Sequence, residues 1–190
     1  MFNVIINTEG SIVSAVSGNY IEAFYEGCKV VEKLDSVSIN EKADLVIATA
    51  GGYPKDINFY QTSKTIMNAK EAVKIGGTII ILSQCSEGLG GNEDVKNMIS
   101  NYDNMLEREK ELRREYSISK DVAYIFCDIA SWSNVIFVAD LDPNLVKKAS
   151  ITVVKTIEEA LELTYKKKGR NLKTYVMSHG ANTFPKINEG

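Results

Sequence analysis

Tyr60, Gln61 and Lys64 put a phenol, an amide and an ammonium into one short stretch of the chain. On a helix, residues three apart share a face, as Gln61 and Lys64 would, and Tyr60 would stand beside Lys64 at i,i+4 spacing. Such a trio can receive a small carboxylate: Lys64 supplies an ion pair, Gln61 a hydrogen bond and Tyr60 an apolar wall. The same spacing equally describes helix residues that face solvent, so spacing alone leaves both readings open. Just upstream, Gly51 and Gly52 let the backbone turn tightly or approach a ligand closely, which makes them, with Tyr60, candidate pocket-lining residues. Asp56 or Asn58 can cap the helix that follows. A helix amino terminus aimed at a cleft favours an anion, through its unpaired N–H groups and positive dipole end.

The elements around this stretch read as α/β. Residues 2–7 and 11–17 alternate apolar and polar positions around Thr8, Glu9 and Gly10, which predicts an opening β-hairpin. From Asn19 onward, Ala23, Phe24, Cys28, Val31 and Leu34 recur at helical spacing, so a helix should cover one face of the sheet. An apolar run at 43–50, a helical pattern at 57–73, a stop at Gly76 and Gly77, and a second apolar run at 78–83 form a βαβ unit. Residues 92–116 predict one long amphipathic helix, whose charged run at 107–111 reads as a solvated face. Strands are predicted at 122–126, 135–139 and 172–177, and the last residues, 178–185, read as a turn-rich tail. Asp142 and Pro143 open a short helix; Thr156 and Glu159 form a capping box on another that stops at Gly169. The fold class expected is a single α/β domain over 1–190, with a central mixed sheet built of βαβ units and helices on both faces.

Composition excludes several classes of function. With 22 Lys plus Arg against 25 Asp plus Glu, the chain carries a net charge of −3 and no basic field that would draw nucleic acid. No apolar run approaches the roughly 20 residues that span a bilayer, and no leader pattern opens the chain, so no membrane partner and a cytoplasmic location are expected. Cys28, Cys85 and Cys127 are widely spaced, and His179 is the single histidine, so neither a disulfide framework nor a metal site is indicated. The three thiols read as buried, and His179 as a strand-end residue. The glycine-rich run at 88–91 lacks the K-[ST] ending of a phosphate-binding loop, and reads as a mobile lid or connector.

The longer pattern is more specific. The motif A-G-G-Y-P-K-D-I-N-x-Y-Q-x-x-K at 50–64 is followed by K-x-G-G-T-I-I at 74–80 and C-x-E-G-x-G at 85–90. D-L-x-P-x-L-V at 140–146 and H-G-x-x-T-x-P at 179–185 complete it. The chain thereby resembles, over essentially its whole length, the carboxyl-terminal domain of the nickel-pincer lactate racemase family. It departs at Ser119 to Ala123, where family members often show a G-H-K-A-type stretch. The resemblance implies a two-domain isomerase that interconverts the configurations of a 2-hydroxy acid by transient hydride transfer to a nickel-pincer nucleotide, with two histidines as acid and base. It places those histidines and the cofactor attachment in the amino-terminal domain. This chain is then expected to hold no catalytic residue, to bind no cofactor or metal alone, and to be inactive by itself. Gln61 and Lys64 carry over as substrate-binding residues, with Tyr60 lining the pocket. Its partners would be the amino-terminal domain and a small 2-hydroxy acid. Two other readings are a methyltransferase-like transferase, prompted by the passage at 74–81, and a non-enzymatic binding or assembly module that keeps the fold.

Overall fold

Asn7 folds the start of the chain back on itself: its Oδ1 accepts the Glu9 and Ser11 amides, and Gly10 takes a φ of +80°. The result in the computed structural model, which describes residues 1–7 and 9–188, is the expected hairpin of β1 (Phe2–Ile6) and β2 (Ile12–Ser17), paired antiparallel. Thr8, part of the expected turn, lies outside the described residues. Asn19 caps α1 (Tyr20–Asp35) by accepting the Ile21 amide at 3.0 Å. This helix lies against the hairpin rather than the central sheet; only Ala23 of its stripe is buried, while Phe24, Val31 and Leu34 are exposed. A short strand, β3 (Ser36–Ile39), follows at once.

The central layer begins at β4 (Ala43–Thr49). Leu45 on this strand enters one apolar cluster and Val46 and Ala48 the other, as a strand covered on both faces must. The chain continues through α2 (Ser63–Ala72), β5 (Val73–Leu82), α3 (Glu93–Ser100), α4 (Met105–Arg114), α5 (Ile118–Trp132) and β6 (Asn134–Val138). Then come α6 (Pro143–Val146), β7 (Thr152–Val154), α7 (Ile157–Lys168), β8 (Thr174–Met177) and β9 (Phe184–Ile187). Five strands pair in the order β7-β6-β5-β4-β8, all parallel. From β4 to β7 the chain steps in one direction and stacks α2, α3 and α5 on one face; it then returns past β4 to form β8. A right-handed crossover in that reverse direction puts α7 on the opposite face, against Leu45, Ile80 and Ile136. Helices thus cover both faces. Parallel and antiparallel pairs both occur, but they are segregated: the antiparallel pair is the hairpin, and the central sheet is purely parallel.

Four further expectations are corrected. The long helix over 92–116 is two, because Asn104 starts a new one by accepting the Glu107 amide at 3.0 Å. Arg108, taken as part of a solvated run, is 2% exposed and donates to the carbonyls of Met98, Ile99 and Tyr102 where α3 ends, and to that of Lys148. The strand expected at 122–126 is the middle of α5, capped at Ser117; Ala123, Phe126, Cys127 and Ala130 give it a helical stripe that the apolar density of the segment hid. Nor is the chain after β8 only a tail: β9 pairs in parallel with β3, a strand the reading missed. A four-residue strand leaves little periodicity to read, and its partner lies across the whole domain. Among the described residues no helix is long and apolar enough to cross a membrane.

Candidate substrate-binding edge

Two segments beyond the carboxyl ends of β4 and β5 are laced together. Cys85 N donates to Asp56 O, Glu87 N to Ile57 O, Phe59 N to Gly88 O and Tyr60 N to Leu89 O, all between 2.8 and 3.0 Å. The glycine-rich run expected as a mobile lid or connector is therefore the buttress of the motif segment. Two of its glycines are required by contact: a Cβ on Gly90 would lie 2.2 Å from Asn58 Cγ, and one on Gly91 2.6 Å from a Val95 methyl and 3.3 Å from the Tyr60 ring. From the other side the chain after β8 straps the segment down. Thr49 Oγ1 donates to Ser178 O, Asn68 Nδ2 to Gly180 O and Lys55 Nζ to Asn182 Oδ1.

On this support the helix begins later than the sequence suggested, at Ser63 rather than 57, so Tyr60 and Gln61 stand in the turns before α2 and Lys64 in its first turn. Asn58, 8% exposed, does cap, but it caps a turn: its Oδ1 accepts the Gln61 amide at 2.9 Å. The amides of Thr62, Ser63 and Thr65 are likewise taken by carbonyls of this segment. The expected anion-binding helix terminus is thus largely spent on local bonds, and an anion here must be held by side chains. Gln61 and Lys64 are both exposed, and among the described residues neither Lys64 Nζ nor the Gln61 side-chain amide has a partner. Tyr60 is half-buried, its ring against Gly91 and the main core.

Gly51 and Gly52, with φ of +88° and +78°, line a separate cleft of about 400 Å³ beyond the ends of β4, β5 and β6. Asp56, Ser83, Gln84, Asp140 and Lys155 line it too, the last two joined by a 2.8 Å ion pair across its rim. Gln61, Lys64 and Tyr60 are not among its walls. Asp56, which also lines the cleft, makes no cap; its Oδ1 is buried without a hydrogen-bond partner among the described residues. The sequence offers Asp56 only as a possible cap and does not single out Ser83, although its place at the end of an apolar run marks a strand end.

The donors of the chain do not fit a nickel centre. Among the described residues no three His, Cys, Asp or Glu side chains converge, and His179 is exposed just beyond β8. Cys85 and Cys127 are buried, which pushes both thiols up, that of Cys127 to about 11, away from the thiolate that a metal needs. Cys28, also expected to be buried, is exposed.

An open parallel sheet wound on both faces, with polar groups gathered beyond its strand ends, defines an α/β domain of the doubly wound class. Comparison with known proteins specifies the family. Residues 38–184 match the lactate racemase C-terminal domain, and the chain belongs to that family. It is 33% identical over 184 residues to lactate racemase of Lactiplantibacillus plantarum, covering 95% of this chain and 43% of that enzyme. Over 91 residues it is 40% identical to lactate racemase of Thermoanaerobacterium thermosaccharolyticum, 48% of this chain and 21% of that protein. The apoprotein structure of lactate racemase from that organism superposes with a TM-score of 0.83 at 30% identity, over 97% of this chain and 45% of the other. A Thermotoga maritima protein, 12% identical with a TM-score of 0.61 over 98% of this chain and 49% of that one, shares the fold. The chain thus spans less than half the length of the racemases it matches.

Proposed function

We propose that this chain is the substrate-binding carboxyl-terminal part of a 2-hydroxy-acid racemase or epimerase, dependent on a nickel-pincer nucleotide held by the other part and inactive alone. What supports the site assignment above all is the pair Gln61 and Lys64. Among the described residues the side chains of both are without a partner, and both are exposed on a segment that the neighbouring loop holds by backbone hydrogen bonds. Lys64 would neutralise the substrate carboxylate, and Gln61 would donate to it or to the 2-hydroxyl. Tyr60 would offer the exposed part of its ring as a wall, while Gly51 and Gly52 belong to the separate cleft and take no part in this contact. An open edge of this kind excludes no water, so the complementary half would have to close over it before an ion pair to the substrate gains full strength. Family membership sets the methyltransferase reading aside.

The test is a chimera in which residues 38–184 replace the matching segment of the Lactiplantibacillus plantarum enzyme, loaded with cofactor and screened over chiral 2-hydroxy acids. Racemisation of at least one acid is expected. A folded, loaded chimera inert toward the whole panel would overturn the reading.

A further inference from the structure

The apolar surface left exposed is not evenly spread. Of 23 exposed large hydrophobic residues among the described residues, 13 fall within residues 1–37, about a fifth of the chain. Exposed singly such residues need no explanation, but gathered on one unit they mark a contact surface. The hairpin uses one face against α1, where Val16 meets Gly27, while Phe2, Val4 and Ile6 on its other face are 70%, 47% and 59% exposed. A two-stranded sheet with one bare apolar face is marginal on its own. Beside it, β1, α1 and Phe184 enclose a groove of about 620 Å³, lined by Val4, Val16, Phe24, Cys28 and Val31. Its one acidic residue, Glu32, is already paired with Lys186, so the groove calls for an apolar occupant rather than a basic one.

Two comparisons indicate the occupant. The family's carboxyl-terminal domain begins at residue 38, so β1, β2 and α1 lie outside it. Yet these elements do not lie outside the racemases, since the superposition with the apoprotein covers 97% of this chain, while more than half of that enzyme has no counterpart here. We infer that the hairpin and α1 form the docking surface for the complementary half of a racemase, whose apolar core packs on the outer hairpin face and fills the groove beside α1. This rests on the reading of the chain as part of a racemase. It adds the surface through which the parts join, built of residues other than those assigned to substrate.

The test mixes this chain with the part of Thermoanaerobacterium thermosaccharolyticum lactate racemase that it does not match, produced as a separate polypeptide by co-expression. The expected result is a one-to-one complex by light scattering, and loss of iodoacetamide labelling at Cys28 inside the complex. The double variant Phe24→Lys, Val31→Lys, whose side chains are exposed and whose fold is checked by circular dichroism, should lose the complex. Ile75→Lys, 88% exposed on β5, should keep it. Three results would overturn the inference: no complex with the unaltered chain, a complex that survives the double variant, or a dimer of this chain that the double variant dissolves. None of these readouts involves racemisation, so a complex with an inert chimera would fault the substrate reading and leave the docking surface standing.

Discussion

Gly90 and Asn58 are in such close contact that a single methyl group cannot be placed between them. A Cβ on Gly90 would lie 2.2 Å from Asn58 Cγ, and Asn58 Oδ1 holds the Gln61 amide at 2.9 Å. Gly90 also has a φ of +63°, which a side chain resists. Gly90→Ala should therefore cost on the order of 2–4 kcal/mol, from left-handed strain plus overpacking. Urea denaturation should show it as a lower midpoint with unchanged slope. An unchanged midpoint would mean that the 88–91 run yields freely and does not buttress the motif.

Arg108 closes the end of α3 through three of its carbonyls or near neighbours and reaches Lys148 O as well. Arg108→Ala should destabilise by about 3 kcal/mol or more, because buried acceptors lose a charged donor. Arg108→Lys should recover little, since an ammonium lacks the planar fork that spans these carbonyls. Full recovery by lysine in thermal unfolding would show that charge alone suffices.

Lys120, buried in α5, pairs with Glu111 and Glu115 at 2.9 Å each. The Lys120 hydrogen bond holds the Glu111 carboxyl below its ordinary 4.5, and that same bond, with help from Glu115, holds the Lys120 ammonium above its ordinary 10.5. A depressed acid stabilises above its unfolded pKa and loses that contribution as pH falls through the folded one. A raised base stabilises below its unfolded pKa and loses it as pH rises through the folded one. The pair thus contributes in full between about pH 5 and 10, and fades on both sides. Lys120→Met should flatten the fall in stability as the pH drops below about 5. An acid limb as steep as the parent's would remove Glu111 from the list of groups responsible.

Burial separates the thiols. Cys28 is exposed, whereas Cys127 is buried with its pKa pushed up to about 11, and Cys85 is buried and pushed up as well. A disulfide reagent at pH 8 should label one thiol quickly in the folded chain and all three after unfolding. Rapid labelling of Cys127 would show that α5 opens under native conditions.

The parts of this fold that were legible in the sequence are those with local causes. Asn19, Asp142 and Thr156 announce their helices because a cap bonds within a few residues, and each is found capping. The strands β4, β5 and β6 are legible as apolar runs because both faces are covered. The departures have non-local causes. Arg108 is buried because carbonyls of α3 and of Lys148 converge on it, which no run of charges in sequence reveals. The pairing of β3 with β9 joins residues almost 150 apart in sequence. The buttress shows the middle case: the glycine-rich run at 88–91 stands out in the sequence but reads there as a mobile lid or connector, and only the structure identifies Asn58 and Tyr60 as what Gly90 and Gly91 approach.

The decisive substitution for the proposed site is Lys64→Ala in the cofactor-loaded chimera. Lys64 is exposed and among the described residues has no ion pair, so its loss should leave the unfolding midpoint almost unchanged. Its ammonium would meet the substrate carboxylate in a cleft closed by the other half, and removing it should cost on the order of 2–4 kcal/mol in kcat/KM. That is roughly 30- to 1,000-fold, since about 1.4 kcal/mol is a factor of ten. If Lys64 holds the carboxylate equally in ground and transition states, the loss falls in KM; if it aligns the reacting carbon, kcat falls. Gln61→Ala should act in the same direction and less strongly, as a neutral donor does. Lys70→Ala is the control: this lysine lies on the same helix, its nearest carboxylate is Glu71 at 3.7 Å, and its removal should leave the kinetics unaltered. Equal and small effects of Lys64→Ala and Lys70→Ala would return Lys64 to the ordinary surface and take the substrate site away from the start of α2.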